Sequence, residues 1–176
     1  AEVVPYRGGG AGQGGYGDVI SPPSNEPLRA GDVLMLDTGA TLAGYFCDFD
    51  RNFAFGHASD EAKYAYGTLY RATEAALRTA RPGVLCRDLY AAMLKTIDQD
   101  GSDVGRFGHG LGLQLTEPPS LISFDDTPLQ AGMVITLEPS MTVCEDKIMV
   151  HEENIVIRDG PPELLTRRAP SELPIL

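Results

Sequence analysis

Val33-Leu34-Met35-Leu36-Asp37-Thr38-Gly39-Ala40-Thr41-Leu42-Ala43-Gly44-Tyr45-Phe46-Cys47-Asp48 is the stretch on which the fold turns. Two apolar runs flank a turn of small residues, the pattern of a β-hairpin with strands at about 32–38 and 44–55. With the turn centred on Leu42-Ala43, Asp37 stands directly opposite Asp48, and alternation puts both carboxylates on one face. Opposed cross-strand Cβ atoms lie roughly 4.5–5.5 Å apart, where like charges repel. Two carboxylates in that position, one of them ending a buried-looking run, call for a shared proton or a bound cation. Asp50, two residues on, shares the face.

A second stretch repeats the pattern. Gly132-Met133-Val134-Ile135-Thr136-Leu137-Glu138-Pro139 is an apolar strand ending in a carboxylate. A return strand over 147–157 carries Glu152, and Glu138 and Glu152 are equidistant from a turn at Glu145. Two carboxylates again face each other, while His151 and Glu153 fall on the other face. Between the hairpins the spacing predicts two helices. One spans 59–81, with Ser59 as N-cap and Pro82-Gly83 as its stop; the other spans 87–98, closed by Gly101. His109 lies in Gly105-Arg106-Phe107-Gly108-His109-Gly110-Leu111-Gly112, where glycines let backbone approach the ring closely. The two acidic hairpins suggest a pseudo-symmetric sheet with its ligands in the middle.

The first 31 residues are rich in Gly and Pro and read as a flexible leading segment bordering the site. They contain Gly10-x-Gly12-x-x-Gly15, but a dinucleotide fingerprint must open a helix, and Pro22-Pro23 follows instead. Residues 32–166 then form one domain, and 167–176 a tail. With 176 residues, 43% of them hydrophobic, the chain can bury a substantial core. A net charge of −11 argues against nucleic-acid and anionic-membrane partners. No run reaches the roughly 20 apolar residues of a membrane span, and no signal-peptide pattern is visible. Three widely spaced cysteines, Cys47, Cys86 and Cys144, read as reduced thiols in a cytoplasmic setting. Ala1 in place of Met reads as a processed or truncated chain.

Asp37, Asp48, His109, Glu138 and Glu152 together make an oxygen-rich set with one imidazole. That set suits two divalent ions bridged by carboxylates better than a tetrahedral structural zinc. Two such ions can share a hydroxide and polarise a carbonyl, which is the chemistry of amide hydrolysis.

GDVLMLDTGA (31–40), GYFCDFDRNF (44–53), FGHGLGLQLTEPPS (107–120), LQAGMVITLEPSM (129–141) and HEENIVI (151–157) resemble the creatinase/prolidase/methionine-aminopeptidase group. These are the pita-bread metallopeptidases of family M24. The spacing of the five residues is similar to that of the Xaa-Pro dipeptidase branch. The resemblance implies an α+β pita-bread fold, a curved and mostly antiparallel sheet backed by helices and incomplete at the N-terminus. It implies two divalent metal ions (Mn, Co or Zn). Asp37 and Asp48 would hold one, His109 and Glu138 with Asp48 the other, and Glu152 would bridge. Glu138 would also be the catalytic general acid/base. A small peptide or small amide substrate and a homodimer are implied as well.

Several positions depart from the family. The family's histidines that bind substrate and shuttle protons fall where this chain has Ile20 and Thr116, and a third, present in some members, falls at Gly105. Val150 stands where an Arg is usual, and Asp50 where a Thr is usual. The cage looks whole while the peptide-handling shell is stripped, which leaves three readings. These are a dipeptidase or aminopeptidase, a creatinase-like hydrolase or lyase for a small nonpeptide substrate, and an inactive relative that binds.

Overall fold

The computed structural model describes residues 3–19, 22, 24–97 and 105–176. Strand β1 (Val3–Gln13) pairs antiparallel with β2 (Asp32–Leu42), which pairs antiparallel with β3 (Tyr45–Ala54). The leading segment is therefore a strand over Val3–Gln13 rather than a loop throughout: Gly8, Gly9 and Gly10 lie opposite Asp37, Leu36 and Met35. Glycine is depleted in strands, so the run reads as coil until its neighbours are known. Here a side chain would crowd its neighbour, since a Cβ at Gly10 would sit 3.0 Å from Tyr16 Cβ. Tyr16, fully buried, uses that room to reach the interior.

The first hairpin forms with a different register from the one expected. Asp37 pairs with Asp50, and Gly39 pairs with Asp48. The two-residue turn is Ala43-Gly44, with φ of 52° and 82°. Tight hairpins favour turns with both central residues at positive φ, because these match the strand twist, and Gly44 supplies one at little cost. The shift is an even number of residues, so Asp37, Asp48 and Asp50 still share a face.

Helix α1 (Asp60–Thr79) begins at Ser59, whose Oγ accepts from Ala62 N–H at 3.1 Å. Its Ala62, Ala65, Tyr66, Leu69, Ala72 and Ala76 are buried and face the core. Helix α2 (Cys86–Ile97) buries Leu89, Tyr90 and Met93. The expected ends at Asp98 and Gly101 lie outside the described residues. Tyr90 stacks on Phe107 at 4.8 Å, which anchors the approach to His109 against the helices.

A second sheet has the order β10-β9-β6-β4-β5, built from β4 (His109–Gly110), β5 (Glu117–Ser120), β6 (Val134–Leu137), β9 (Glu153–Val156) and β10 (Glu163–Leu164). Strands β7 (Ser140–Cys144) and β8 (Lys147–Val150) form a separate pair. The return strand expected over 147–157 is thus broken in two. Its register survives the break: Ser140 pairs with Val150, His151 N–H donates to Pro139 O at 3.1 Å, and Leu137 pairs with Glu153. Glu138 and Glu152 occupy the opposed positions at the interruption, where Pro139 removes a ladder donor. The C-terminal residues close on the first sheet, Ala54 N–H donating to Pro174 O and Leu176 N–H to Ala54 O.

Ala43 is a non-glycine residue in left-handed backbone, exposed and at the turn. Ala43→Gly should stabilise the chain by about 0.5–1 kcal/mol, read as a higher urea midpoint with an unchanged slope.

Candidate metal centre

One cavity of about 510 Å³ gathers Asp37, Asp48, Asp50, His109, Glu138 and Glu152 on its walls. Asp37 and Asp48 come from β2 and β3, His109 from β4, Glu138 from the end of β6, and Glu152 from the step between β8 and β9. Asp37, Asp48 and Glu152 each offer an oxygen within 4.8 Å of the other two. His109 Nε2 lies 3.7 Å from Asp48 Oδ2 and 3.5 Å from Glu138 Oε1. The five residues therefore share one cavity.

Local backbone explains how His109 is held. A Cβ at Gly108 would fall 2.1 Å from Thr136 O, and one at Gly110 would fall 2.4 Å from Pro118 O. The ring sits where only glycine neighbours allow strands to close around it. The backbone N–H of His109 donates to Thr136 Oγ1 at 2.9 Å. His109 Nδ1 donates to Gly110 O at 2.9 Å, because a carbonyl can only accept. Burial holds the imidazole below its ordinary pKa, so it is neutral and its Nε2 is a bare lone pair. That lone pair points at two carboxylates. Lone pair against carboxylate is repulsive, and a cation between them makes every contact favourable.

The acids carry the same message. Burial raises Asp50 well above the usual carboxylate range, and Asp37 adds to the rise. Burial also raises Glu152, helped by Asp48 and Asp50. Burial lifts Glu138 to about 7 against the opposing pull of Arg106. The donor set fits divalent cations: hard oxygens with one imidazole, deprotonated only at the expense of mutual repulsion. Asp37, Asp48, His109, Glu138 and Glu152 are the side chains that could hold a metal there.

Thr116 and Gly105 also line the cavity, as does Val150, while Ile20 lies outside the described residues. His151 faces away, as alternation requires. It is buried between Tyr66 and Tyr70, pushed down to about 3 by burial, and bonded through Nδ1 to Thr73 Oγ1 at 3.1 Å. Sequence reasoning missed Arg106, whose guanidinium lies 3.5 Å from Glu138 Oε1 and donates to Thr116 Oγ1 at 3.5 Å. It is the only Lys or Arg among the described lining residues. A signal was present: histidine aside, Arg106 is the only charged residue between Asp103 and Glu117.

The architecture is the pita-bread fold, and the site is a carboxylate-and-histidine cage of the kind metallopeptidases use. Residues 13–159 match metallopeptidase family M24, and the chain belongs to that family. Bacillus subtilis YkvY is 34% identical over 169 residues, 92% of this chain and 46% of that protein. The crystal structure of a prolidase from Thermococcus sibiricus superposes with a TM-score of 0.90 at 29% identity, covering 100% of this chain and 48% of that one. The X-Pro aminopeptidase structure from Thermotoga maritima gives 0.89 at 29% identity, covering 100% and 51%. The chain spans about half the length of these relatives.

The shifts set a pH trend for the metal-free protein. An acid whose folded pKa is raised binds protons more tightly when folded, so it costs stability as pH rises. Glu138 does so from its ordinary 4.5 to about 7, and Asp50 and Glu152 act in the same direction. His109 and His151 are lowered, which favours the fold as pH rises, but only up to their ordinary 6.5. From pH 6.5, where the histidine contribution ends, to about 7.5 the metal-free protein should lose thermal stability as Glu138 ionises. Saturating Mn²⁺ should remove that slope in a thermal melt.

Proposed function

We propose that this chain carries the catalytic unit, over residues 32–166, of a metal-dependent peptidase acting on small peptides of the Xaa-Pro dipeptidase or aminopeptidase type. The observation that carries the reading is the convergence of Asp37, Asp48, His109, Glu138 and Glu152 on one cavity of a size suited to a small molecule. Asp37, Asp48, His109, Glu138 and Glu152 would hold two divalent ions (Mn, Co or Zn), Asp37 and Asp48 serving one, His109 and Glu138 with Asp48 the other, and Glu152 serving both. When bound, the ions polarise the scissile carbonyl and make a water nucleophilic at neutral pH.

The protein's own groups do the rest. Glu138 takes a proton from the attacking water and returns it to the leaving nitrogen as the C–N bond breaks, which balances the hydrolysis. Its Oε1 lies on the cavity wall 3.5 Å from His109 Nε2 and 3.5 Å from Arg106 Nε, within reach of a water bound there. Arg106 steadies it from the cavity mouth. Arg106 with Thr116 also offers two donors to an anionic substrate end, and Val19, Met35, Leu115 and Val150 give an apolar wall. Free thiols at Cys47, Cys86 and Cys144 support a cytoplasmic setting, and among the described residues no helix is long and apolar enough to cross a membrane. A homodimer belongs to the same proposal, on family likeness alone.

The second reading, a creatinase-like hydrolase or lyase for a small nonpeptide substrate, draws on Gly105 and Thr116, which line the cavity at positions where the family resemblance implies histidine. A panel of Xaa-Pro dipeptides against creatine and other small amides separates the two. An inactive binding role predicts turnover of neither.

Glu138→Gln should abolish metal-dependent turnover, by at least about a hundredfold, with the far-UV circular dichroism unchanged. Unaltered turnover would rule out the assigned role. Arg106→Met should raise KM for free dipeptides more than for their carboxamides. An equal rise for both would remove Arg106 from carboxylate recognition.

A further inference from the structure

Strand β3 and the segment 150–154 lie side by side, yet they belong to different sheets and share no ladder pairing among the described residues. Side chains join them instead. Asn154 Nδ2 donates to Asp48 O at 2.6 Å. Arg51 Nη1 donates to Asp50 O at 2.7 Å and to Glu152 O at 2.9 Å. Asn52 Nδ2 donates to Val150 O at 2.7 Å. As β3 advances from 48 to 50 to 52, its partner retreats from 154 to 152 to 150. That is the register of an antiparallel pair with a side chain inserted at each step.

A peptide ladder would draw two strands to about 4.8 Å. An amide or guanidinium between them holds them farther apart. The strands so separated carry Asp48 on one side and Glu152 on the other. Their carboxylates, with that of Asp37, still meet within 4.8 Å across the gap. The same side chains also touch the acids: Asn154 Nδ2 lies 3.2 Å from Glu152 Oε1 and Asn52 Nδ2 lies 3.2 Å from Asp50 Oδ1. Arg51 is fixed from behind. Its Nη2 donates to Glu153 Oε2 at 3.2 Å and to Arg167 O at 2.7 Å, and the guanidinium lies 4.2 Å over the Phe49 ring. Glu153 Oε1 is held in turn by Ala169 N–H at 2.7 Å.

We infer that Arg51, Asn52 and Asn154 form a side-chain spacer that sets the separation of the two ligand-bearing strands to the width the metal ions require. They are positioning residues, and the inference rests on the metal reading above. Well-ordered partners behind a ligand commonly carry ten- to a hundredfold in metal affinity. A buried ion pair kept only for folding would leave the affinity of the folded protein alone.

Cobalt(II) is the probe, because its visible bands report ligand geometry. Affinity is read by competition with a chelating dye on the full chain, and stability by metal-free melting. Asn154→Ala and Arg51→Lys should each weaken Co²⁺ binding at least about tenfold and alter the bands. Leu89→Ala, in the core of α2 and away from the site, should melt earlier with Co²⁺ affinity and bands unchanged. If Asn154→Ala does not fold, Asn52→Ala makes the same measurement. Folded spacer variants that bind Co²⁺ as tightly as the parent, with the same bands, overturn the inference and leave the metal reading standing. A parent chain that binds no Co²⁺ overturns the metal reading, and the spacer with it.

Discussion

Repulsion among buried carboxylates is the constraint around which this molecule is built. Asp37, Asp48 and Glu152 present oxygens within 4.8 Å of one another. At that separation each fully ionised pair repels by roughly 3.5 kcal/mol at an effective dielectric of about 20. Three such pairs reach about 10 kcal/mol, comparable to the entire stability of an ordinary domain. Asp50 and Glu138 line the same cavity. The fold cannot hold these groups ionised without a countercharge. The single charge of Arg106 cannot balance five acids, and its close carboxylate contact is with Glu138.

The scaffold answers by fixing the acids through neutral donors. Tyr16 O–H donates to Asn52 Oδ1 at 3.1 Å and accepts from Val150 N–H at 2.6 Å. Burial next to Asp50 keeps that phenol well above its ordinary range, so it stays a proton donor. Tyr16 reaches this place because β1 has glycine where it crosses. The glycine-rich strand, remote from the chemistry in sequence, is thus what admits the tyrosine that holds Asn52.

Much of this was legible in the residues. Period and capping mark both helices, because an amphipathic stripe and a Ser59 N-cap are local signals. The pairing of Glu138 with Glu152 followed from symmetry about Glu145, and the register holds through the break at Pro139. What escaped was non-local. The β1 strand is encoded by what packs over Gly10, not by the propensity of Gly8 to Gly10. The turn at Ala43-Gly44 was misplaced by one residue because Leu42 and Ala43 look equally permissive until backbone handedness is considered. Arg51, Asn52 and Asn154 carry no pattern of their own; their bonds go to carbonyls roughly a hundred residues away.

The departures from family pattern gain meaning from charge. The family resemblance puts histidine at the positions of Gly105 and Thr116 and arginine at that of Val150, and all three positions line the cavity. Arg106 is left as the cation facing five acids. A hydrogen bond weakens steeply with angle, whereas a charge attracts over several ångströms and tolerates many poses. Under the proposed function, a cavity whose one cation among the described lining residues is a partly exposed guanidinium would select on the presence and sign of a substrate's charge. It would select less on the exact placement of its carbonyl. On the function proposed here, that favours small substrates of varied side chain sharing an anionic end over one rigid shape.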